Sequence, residues 1–288
     1  MEKTPKSVDL LVIGGSFVTM NPGRDVLTDS ALVIDRGRIT WIGDEEEAQR
    51  LFKPTRTMAL SDQVVIPGLI NVHGHWAMTL FRGLVDDSPL EEWLSTIWKV
   101  EAAVISEESV VTGAQLAMLE MIRSGTTCAA DMYWHYIATT EASRKAGFRM
   151  VNGPSFADIE GFEDYRNTTD AIALDYLDEY RNVPLVHPCI QAHSVYMTNP
   201  EMLETVKEIS QDRKLTFITH ASESKGELEL VRRKYGKTPI EVLDEAGLLS
   251  NRTLLAHCVH LSDEEIARLA ETGTSVAHCP SSNLKLAS

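Results

Sequence analysis

From residue 64 onward, short apolar runs alternate with amphipathic segments whose apolar residues recur every three or four positions. The short runs predict buried strands, and the amphipathic segments predict helices at 107–123, 199–211 and 263–272. Ser106 precedes the acidic start of the first of these helices and is expected to be its N-cap. Strands alternating with helices indicate an α/β fold with a parallel sheet. The predicted strands are 64–72, 126–132, 149–154, 185–191, 215–219, 253–256 and 274–277.

The second part of the chain carries no glycine-rich nucleotide loop, which favours a closed barrel over a doubly wound sheet. We therefore expect residues 63–288 to form a TIM-type (β/α)8 barrel. A complete barrel needs eight strands, and only seven are predicted here. The sequence thus predicts a barrel domain that is truncated before its eighth strand.

The first part of the chain has a different pattern. Short alternating runs at 9–13, 16–20, 31–34 and 38–42 are separated by turn residues and predict an antiparallel β unit. The Gly14-Gly15 pair between the first two runs fits a hairpin better than a dinucleotide loop, because the full Gly-x-Gly-x-x-Gly spacing is missing. Residues 1–62 are therefore expected to form a small β-sandwich-like domain.

Charge and composition limit the classes of partner that the protein is expected to bind. The 288 residues include 27 Lys and Arg against 42 Asp and Glu, which gives a net charge of −15. Such a charge repels nucleic acid and anionic membrane surfaces, so we expect neither as a partner. The sequence shows no signal-peptide pattern and no apolar stretch of transmembrane length, and it predicts a cytoplasmic protein.

Histidines stand at the carboxyl ends of the predicted barrel strands. Catalytic groups of TIM-type barrels gather at that face, so the side chains are expected to meet there. A single histidine in such a place is more often a hydrogen-bonded core residue than a ligand. Their shared position favours a metal site, which needs at least three protein ligands. Six of the nine histidines follow this rule: His73, His75, His193, His220, His257 and His278.

Glu223 stands three residues beyond His220. A carboxylate beside a metal-activated water can move its proton, which is the acid/base role that a hydrolytic metal site requires. The alternative is a carboxylate that stabilises the start of the next helix. The neighbouring histidines favour the proton-shuttle interpretation.

These motifs together resemble a known family, the aminohydrolases and chlorohydrolases of the amidohydrolase superfamily. The similarity extends over nearly the whole chain and is strongest to 5-methylthioadenosine/S-adenosylhomocysteine deaminases. Triazine hydrolases and guanine-type deaminases are close behind. The segments that carry it are 65–75, 78–83, 90–94, 124–127, 192–194, 219–223, 256–261 and 278–286.

The resemblance implies that the barrel of residues 63–288 is of the metal-dependent hydrolase type. It also implies a site with one divalent metal ion per subunit, zinc or alternatively iron. His73, His75 and His220 would bind this ion. Glu223 would relay a proton between the activated water and a ring nitrogen of the substrate. His257 would hydrogen-bond to the attacking hydroxide, which makes Glu223 and His257 the predicted catalytic residues.

The resemblance also implies a substrate subsite. His193 would contact the substrate ring, Trp93 would lie against a purine nucleoside, and Glu101 would bind ribose hydroxyls. For Trp93 and Glu101 an equally good interpretation is an amphipathic helix with one core aromatic residue and one exposed acid. Ser281, Ser282 and Asn283 match a family loop whose role the sequence does not define.

The activity implied by the resemblance is hydrolytic deamination of a purine nucleoside or related amino-N-heterocycle by a homo-oligomeric enzyme. The alternatives are an s-triazine chlorohydrolase or aminohydrolase, a guanine-type deaminase, and, from another class, an inactive metal-binding fragment. In the family, a fourth ligand, an Asp, follows the eighth strand, and we expect it beyond Ser288. No arginine occurs at 150–154, which favours a substrate without an amino-acid carboxylate unless Arg166 supplies the charge.

Overall fold

The computed structural model describes residues 4–158 and 170–288. The chain divides into two compact units, Met1–Gly68 and Leu69–Ser288. The sequence placed a domain boundary between residues 62 and 63, and that boundary stays a prediction.

The first unit consists of two small sheets and one helix. Its larger sheet has the order β5-β4-β1-β6, and its smaller sheet has the order β3-β2-β7. Strands β1 and β4 are antiparallel, whereas β1 and β6 are parallel because the chain crosses back through α1. The unit is therefore mixed rather than purely antiparallel. The elements are β1 (Lys6–Ile13), β2 (Ser16–Val18), β3 (Val26–Leu27), β4 (Ser30–Asp35), β5 (Arg38–Asp44), α1 (Glu45–Leu51), β6 (Phe52–Ala59) and β7 (Val64–Val65).

The second unit has a curled parallel sheet of seven strands with helices between them. The α/β class and the TIM-type barrel predicted from the sequence are confirmed. Seven strands are adjacent in the order β15-β14-β13-β12-β10-β9-β8, and an eighth, the short strand β11, lies off this path and pairs with β12. Their bounds are β8 (Leu69–Asn71), β9 (Thr126–Ala130), β10 (Arg149–Asn152), β11 (Ser155–Phe156), β12 (Val186–Ser194), β13 (Thr216–Ala221), β14 (Thr253–His257) and β15 (Ser275–Ala277).

The helices of this unit lie between successive strands, except the last one, which follows β15. Helix α3 has the predicted bounds, and the side chain of Ser106 caps it by accepting a hydrogen bond from the Ser109 amide. A 3-10 helix, Trp76–Phe81, follows β8. The α-helices are α2 (Leu90–Val104), α3 (Glu107–Arg123), α4 (Tyr136–Ala146), α5 (Asp170–Tyr180), α6 (Pro200–Arg213), α7 (Lys225–Tyr235), α8 (Pro239–Glu245), α9 (Asp263–Thr272) and α10 (Pro280–Lys285).

The predicted first barrel strand, 64–72, is wrong as a single element. Its first residues form β7, which pairs with β2 of the first unit, and only β8 joins the barrel sheet. Pro67 and Gly68 lie between the two strands. Proline has no amide hydrogen for a sheet and glycine weakens a strand, so the apolar run divides at this point.

The main core of the second unit lies between the barrel strands β12, β13 and β14 and their outer helices. Ile190, Phe217 and Leu255 contribute from the strands, and Tyr176 and Leu243 contribute from α5 and α8. All three residues of β8, an outer strand of the sheet, are exposed. No helix within the described ranges is long and apolar enough to cross a membrane.

Candidate metal centre and adjoining pocket

His73 and His75 lie in a loop, because β8 ends at Asn71. The predicted strand 64–72 therefore extends one residue too far, and both histidines follow the end of the observed strand. The loop is instead fixed against the end of β9. The Met132 amide donates to the Gly74 carbonyl at 3.0 Å, and the Trp76 amide donates to Asp131 Oδ1 at 2.8 Å. With these contacts, the ring centroids of His73 and His75 lie 5.0 Å apart.

His75 and His220 face each other through their Nε2 atoms, which are 3.3 Å apart. His75 Nδ1 lies 2.5 Å from the Met132 carbonyl oxygen, and His220 Nδ1 lies 2.6 Å from the His193 carbonyl oxygen. Because a carbonyl oxygen only accepts, both Nδ1 atoms carry the proton and both Nε2 atoms carry a lone pair. Two lone pairs directed at each other repel, and a cation between or beside them removes the repulsion.

His257 ends β14 and joins the same cluster. One potential ligand atom from each of His73, His220 and His257 lies within 4.8 Å of the others. The backbone of His257 has φ +74°, a left-handed conformation that costs energy for a residue with a Cβ atom. The next residue holds this turn, since the Cys258 amide donates to the Ala221 carbonyl at the end of β13.

Burial lowers the pKa of all four clustered imidazoles, and at His73 and His220 the neighbouring histidines lower it further. The four rings are therefore neutral at neutral pH. Neutral imidazole is the form that binds a metal. The convergence of these nitrogen atoms and their protonation state fit a metal ion at this place.

Glu223 lies two residues after the end of β13 and is 8% exposed. Its Oε1 atom is 3.4 Å from His257 Nδ1, and its backbone amide donates to Glu227 Oε2 at 2.6 Å. Burial first, and then the carboxylates of Glu227 and Glu91, raise the pKa of Glu223 to about 8. The group is thus largely protonated at neutral pH, with a proton to give at the edge of the histidine cluster.

A pocket adjoins the cluster and contains the other predicted residues. Trp93, Glu101 and His193 line it together with His75 and several aromatic side chains. Glu101 is not an exposed helix acid, since it is 3% exposed and accepts a hydrogen bond of 2.5 Å from Tyr133 Oη. Burial raises its pKa. The pocket therefore combines flat apolar walls with one buried acid.

Three of the sequence predictions fall outside this arrangement. His278 follows β15, but it is exposed, unlike the residues of the buried cluster. Arg166, considered as a charge partner for a substrate carboxylate, lies outside the described residues. The fourth ligand was expected beyond Ser288, and that expectation stays a prediction.

Two buried residues of the site were missed or left without a role by sequence reasoning. Asp131 follows β9 and is fully buried, and its Oδ2 atom has no hydrogen-bond partner among the described residues. The strand-end rule that found the histidines would have found Asp131, had acids been included. Asn283 in α10 contacts His257 through a hydrogen bond of 2.8 Å. Its partner lies 26 residues away, and no local pattern reveals such a contact.

Comparison with known proteins places this geometry in a family context. The model of the amidohydrolase family matches residues 64–288. The chain is 37% identical over 285 residues to a protein of Syntrophobacter fumaroxidans named 5-methylthioadenosine/S-adenosylhomocysteine deaminase, covering 97% of this chain and 64% of the relative. It is 38% identical over 290 residues to the 5'-deoxyadenosine deaminase of Methanopyrus kandleri, with coverages of 97% and 64%.

A solved structure is similar over the same extent. The adenosine deaminase from Xanthomonas campestris with bound zinc has a TM-score of 0.92 and 36% identity to this chain. The similarity covers 99% of this chain and 65% of that protein. The chain thus spans about 64% of the length of the two curated relatives named above.

Proposed function

The chain belongs to the amidohydrolase family, and from that premise we propose that it acts as a metal-dependent hydrolytic deaminase. The substrate class is a purine nucleoside or a related amino-N-heterocycle. The observation that carries the proposal is the convergence of four neutral imidazoles and one protonated carboxyl group at the carboxyl ends of the barrel strands. The names of the two curated relatives, both deaminases of adenosine derivatives, support the substrate class.

His73, His75 and His220 are proposed to hold one divalent metal ion per subunit, zinc or alternatively iron. When bound, such an ion supplies an activated water at neutral pH. The zinc in the similar adenosine deaminase structure supports this metal. The close approach of His75 Nε2 and His220 Nε2 supports these two residues as ligands. His73 is supported by its ring contacts with both, at 5.0 and 4.7 Å between centroids.

Glu223 is proposed as the proton carrier and His257 as the residue that hydrogen-bonds to the attacking hydroxyl group. Glu223 holds a proton at neutral pH because its pKa is about 8. It gives this proton to the ring nitrogen beside the reacting carbon and recovers one from the nucleophile. Transfer of the proton to the amino group then makes ammonia the leaving group. This use of an acid with a raised pKa is typical of general acid catalysis near pH 7.

The aromatic pocket is proposed to bind the nucleoside. Trp93 and His193 contact the flat ring, and Glu101 accepts hydrogen bonds from the ribose hydroxyls. The burial of Glu101 beside Tyr133 supports this role, because a carboxyl group in an apolar pocket gains most from a polar group brought by a ligand. The substrate is a small molecule, and we expect the enzyme to be a homo-oligomer.

The direct test measures ammonia release by the zinc-loaded and iron-loaded chain. The substrates are adenosine, 5'-methylthioadenosine, 5'-deoxyadenosine, S-adenosylhomocysteine, guanine and an aminotriazine. We expect release from at least one adenosine derivative. Release from guanine or the aminotriazine alone would favour the corresponding alternative, and chloride release from a chlorotriazine would favour a chlorohydrolase. Metal binding without any release would contradict the proposal and favour an inactive metal-binding fragment.

A further inference from the structure

The side chain of Asn283 contacts the Nδ1 atom of His257. It lies in α10 and is 8% exposed, and its Oδ1 atom is 2.8 Å from His257 Nδ1. Glu223 Oε1 approaches the same nitrogen at 3.4 Å. His257 Nδ1 therefore has two side-chain oxygen atoms nearby, one from Asn283 and one from Glu223.

The shorter contact, to Asn283, indicates which ring nitrogen of His257 carries the proton. An amide oxygen accepts hydrogen bonds and does not donate them, so the bond to Asn283 requires a proton on His257 Nδ1. In a neutral imidazole with its proton on Nδ1, the Nε2 atom carries the lone pair. Two other members of the cluster, His75 and His220, have the same tautomer, but backbone carbonyl groups fix theirs.

At His257 the acceptor is a side chain rather than a backbone carbonyl group. Its φ of +74° ends β14, and the amide of Cys258 turns toward β13. Asn283, supplied by α10, is instead the acceptor at Nδ1. This helix is linked in turn to the segment before α2, since Lys285 Nζ lies 2.5 Å from Asp86 Oδ1.

We propose that Asn283 is a positioning residue that fixes His257 in the Nδ1–H tautomer and thereby presents the Nε2 lone pair to the histidine cluster. Its effect on turnover rests on the proposed function. The tautomer itself does not, because it is a property of the resting protein. A side chain that orients a functional histidine in this way typically affects activity or metal affinity by about 10- to 100-fold.

The test uses Asn283→Leu and a matched control, Ser281→Ala. Leucine has nearly the shape of asparagine and removes the acceptor. The Nδ2 atom of Asn283 has no partner among the described residues, so the substitution removes one hydrogen bond only. Ser281 is an exposed residue of the same helix. The ring nitrogens are observed by NMR in protein labelled with ¹⁵N-histidine, and His257→Gln assigns the His257 signals.

We expect His257 to be the Nδ1–H tautomer in the unsubstituted chain and in Ser281→Ala, both without metal and with zinc added. In Asn283→Leu this tautomer should be lost or mixed, and kcat should fall by about 10- to 100-fold with little change in KM. An Nε2–H tautomer in the unsubstituted chain overturns the proposal, and that measurement needs no variant that might fail to fold. An unchanged tautomer in folded Asn283→Leu also overturns it.

The two proposals fail separately. Absence of ammonia release together with the Nδ1–H tautomer contradicts the deaminase function and leaves the role of Asn283 intact. Ammonia release together with the Nε2–H tautomer supports the deaminase function and contradicts the role of Asn283.

Discussion

His75 Nε2 and His220 Nε2 lie 3.3 Å apart, and neither nitrogen carries the proton, because each ring donates through Nδ1 to a backbone carbonyl group. The carbonyl groups belong to Met132 and His193, so the β9 and β12 ends of the barrel orient the two rings. The orientation of both rings is thus set by backbone hydrogen bonds of the barrel itself. Such preorganisation keeps the cost of assembling a metal site small.

Metal binding should therefore stabilise the fold. We expect added zinc to raise the free energy of unfolding by about 2.7 kcal/mol when free zinc is 100 times its dissociation constant. A chelator should reverse the effect. The measurement is urea denaturation at fixed pH with zinc and with chelator.

The matched variants for this experiment are His220→Ala and His187→Ala. His220 belongs to the histidine cluster. His187 is exposed and lies near the start of β12, the strand that carries His193. The first variant should lose the response to zinc and the second should keep it. An equal response in both would show that zinc stabilises the protein elsewhere.

Substitution of Glu223 should lower turnover without lowering metal binding. Glu223→Gln removes the transferable proton but keeps the size of the side chain, so bound zinc should be retained while kcat falls by about 10²- to 10⁴-fold. His220→Ala should lose both. The measurements are zinc content by elemental analysis and ammonia release. Glu229→Gln, an exposed acid on α7, is the control, and full activity of Glu223→Gln would refute the proton-carrier role.

The sequence predicted what depends on neighbours along the chain. Helix α3 and its Ser106 cap follow from local periodicity and capping, and His220 and His257 follow from the rule that parallel strands end at one face. The division between β7 and β8 was missed, because one apolar run continues across Pro67 and Gly68 into a different sheet. Hydrophobicity does not report which sheet a strand joins.

The contacts that hold the site were predictable only in part, because most of them join distant residues. Asp131 is 55 residues from Trp76 and Asn283 is 26 residues from His257. An acid after a strand resembles a hydrated loop residue in sequence, and only the packed barrel shows that Asp131 is excluded from water. Burial of a polar group is decided by tertiary packing, which a single sequence does not display.

Asp131 should make stability depend on pH. Burial raises its pKa from 3.8 to about 7, so the folded protein binds a proton that the unfolded chain releases between about pH 4 and pH 7. The free energy of unfolding therefore decreases as pH rises through this range and levels off above it. Asp131 alone can change the free energy of unfolding by at most about 1.4 kcal/mol per pH unit, or about 4 kcal/mol over the whole range.

Asp131→Asn should remove this dependence. Its amide oxygen still accepts from the Trp76 amide, and it carries no charge to bury. We expect the variant to gain stability relative to the unsubstituted chain between pH 5 and pH 8, measured by urea denaturation in the presence of chelator. The control is Asp175→Asn, at an exposed position of α5. It should leave the dependence of the free energy of unfolding on pH unchanged. A constant difference between Asp131→Asn and the unsubstituted chain over this pH range would contradict the argument.

Glu101 should act on the sugar rather than on the base. Glu101→Gln keeps the shape of the side chain and its contact with Tyr133, but weakens its acceptor strength toward ribose hydroxyls. A hydrogen bond to a charged group contributes about 1.5–3 kcal/mol, so kcat/KM for adenosine derivatives should fall by roughly 10- to 100-fold, chiefly through KM. For 2',3'-dideoxyadenosine, which lacks both hydroxyls, the variant and the unsubstituted chain should differ little. Equal losses on both substrates would mean that Glu101 supports the pocket through Tyr133 and does not touch the sugar.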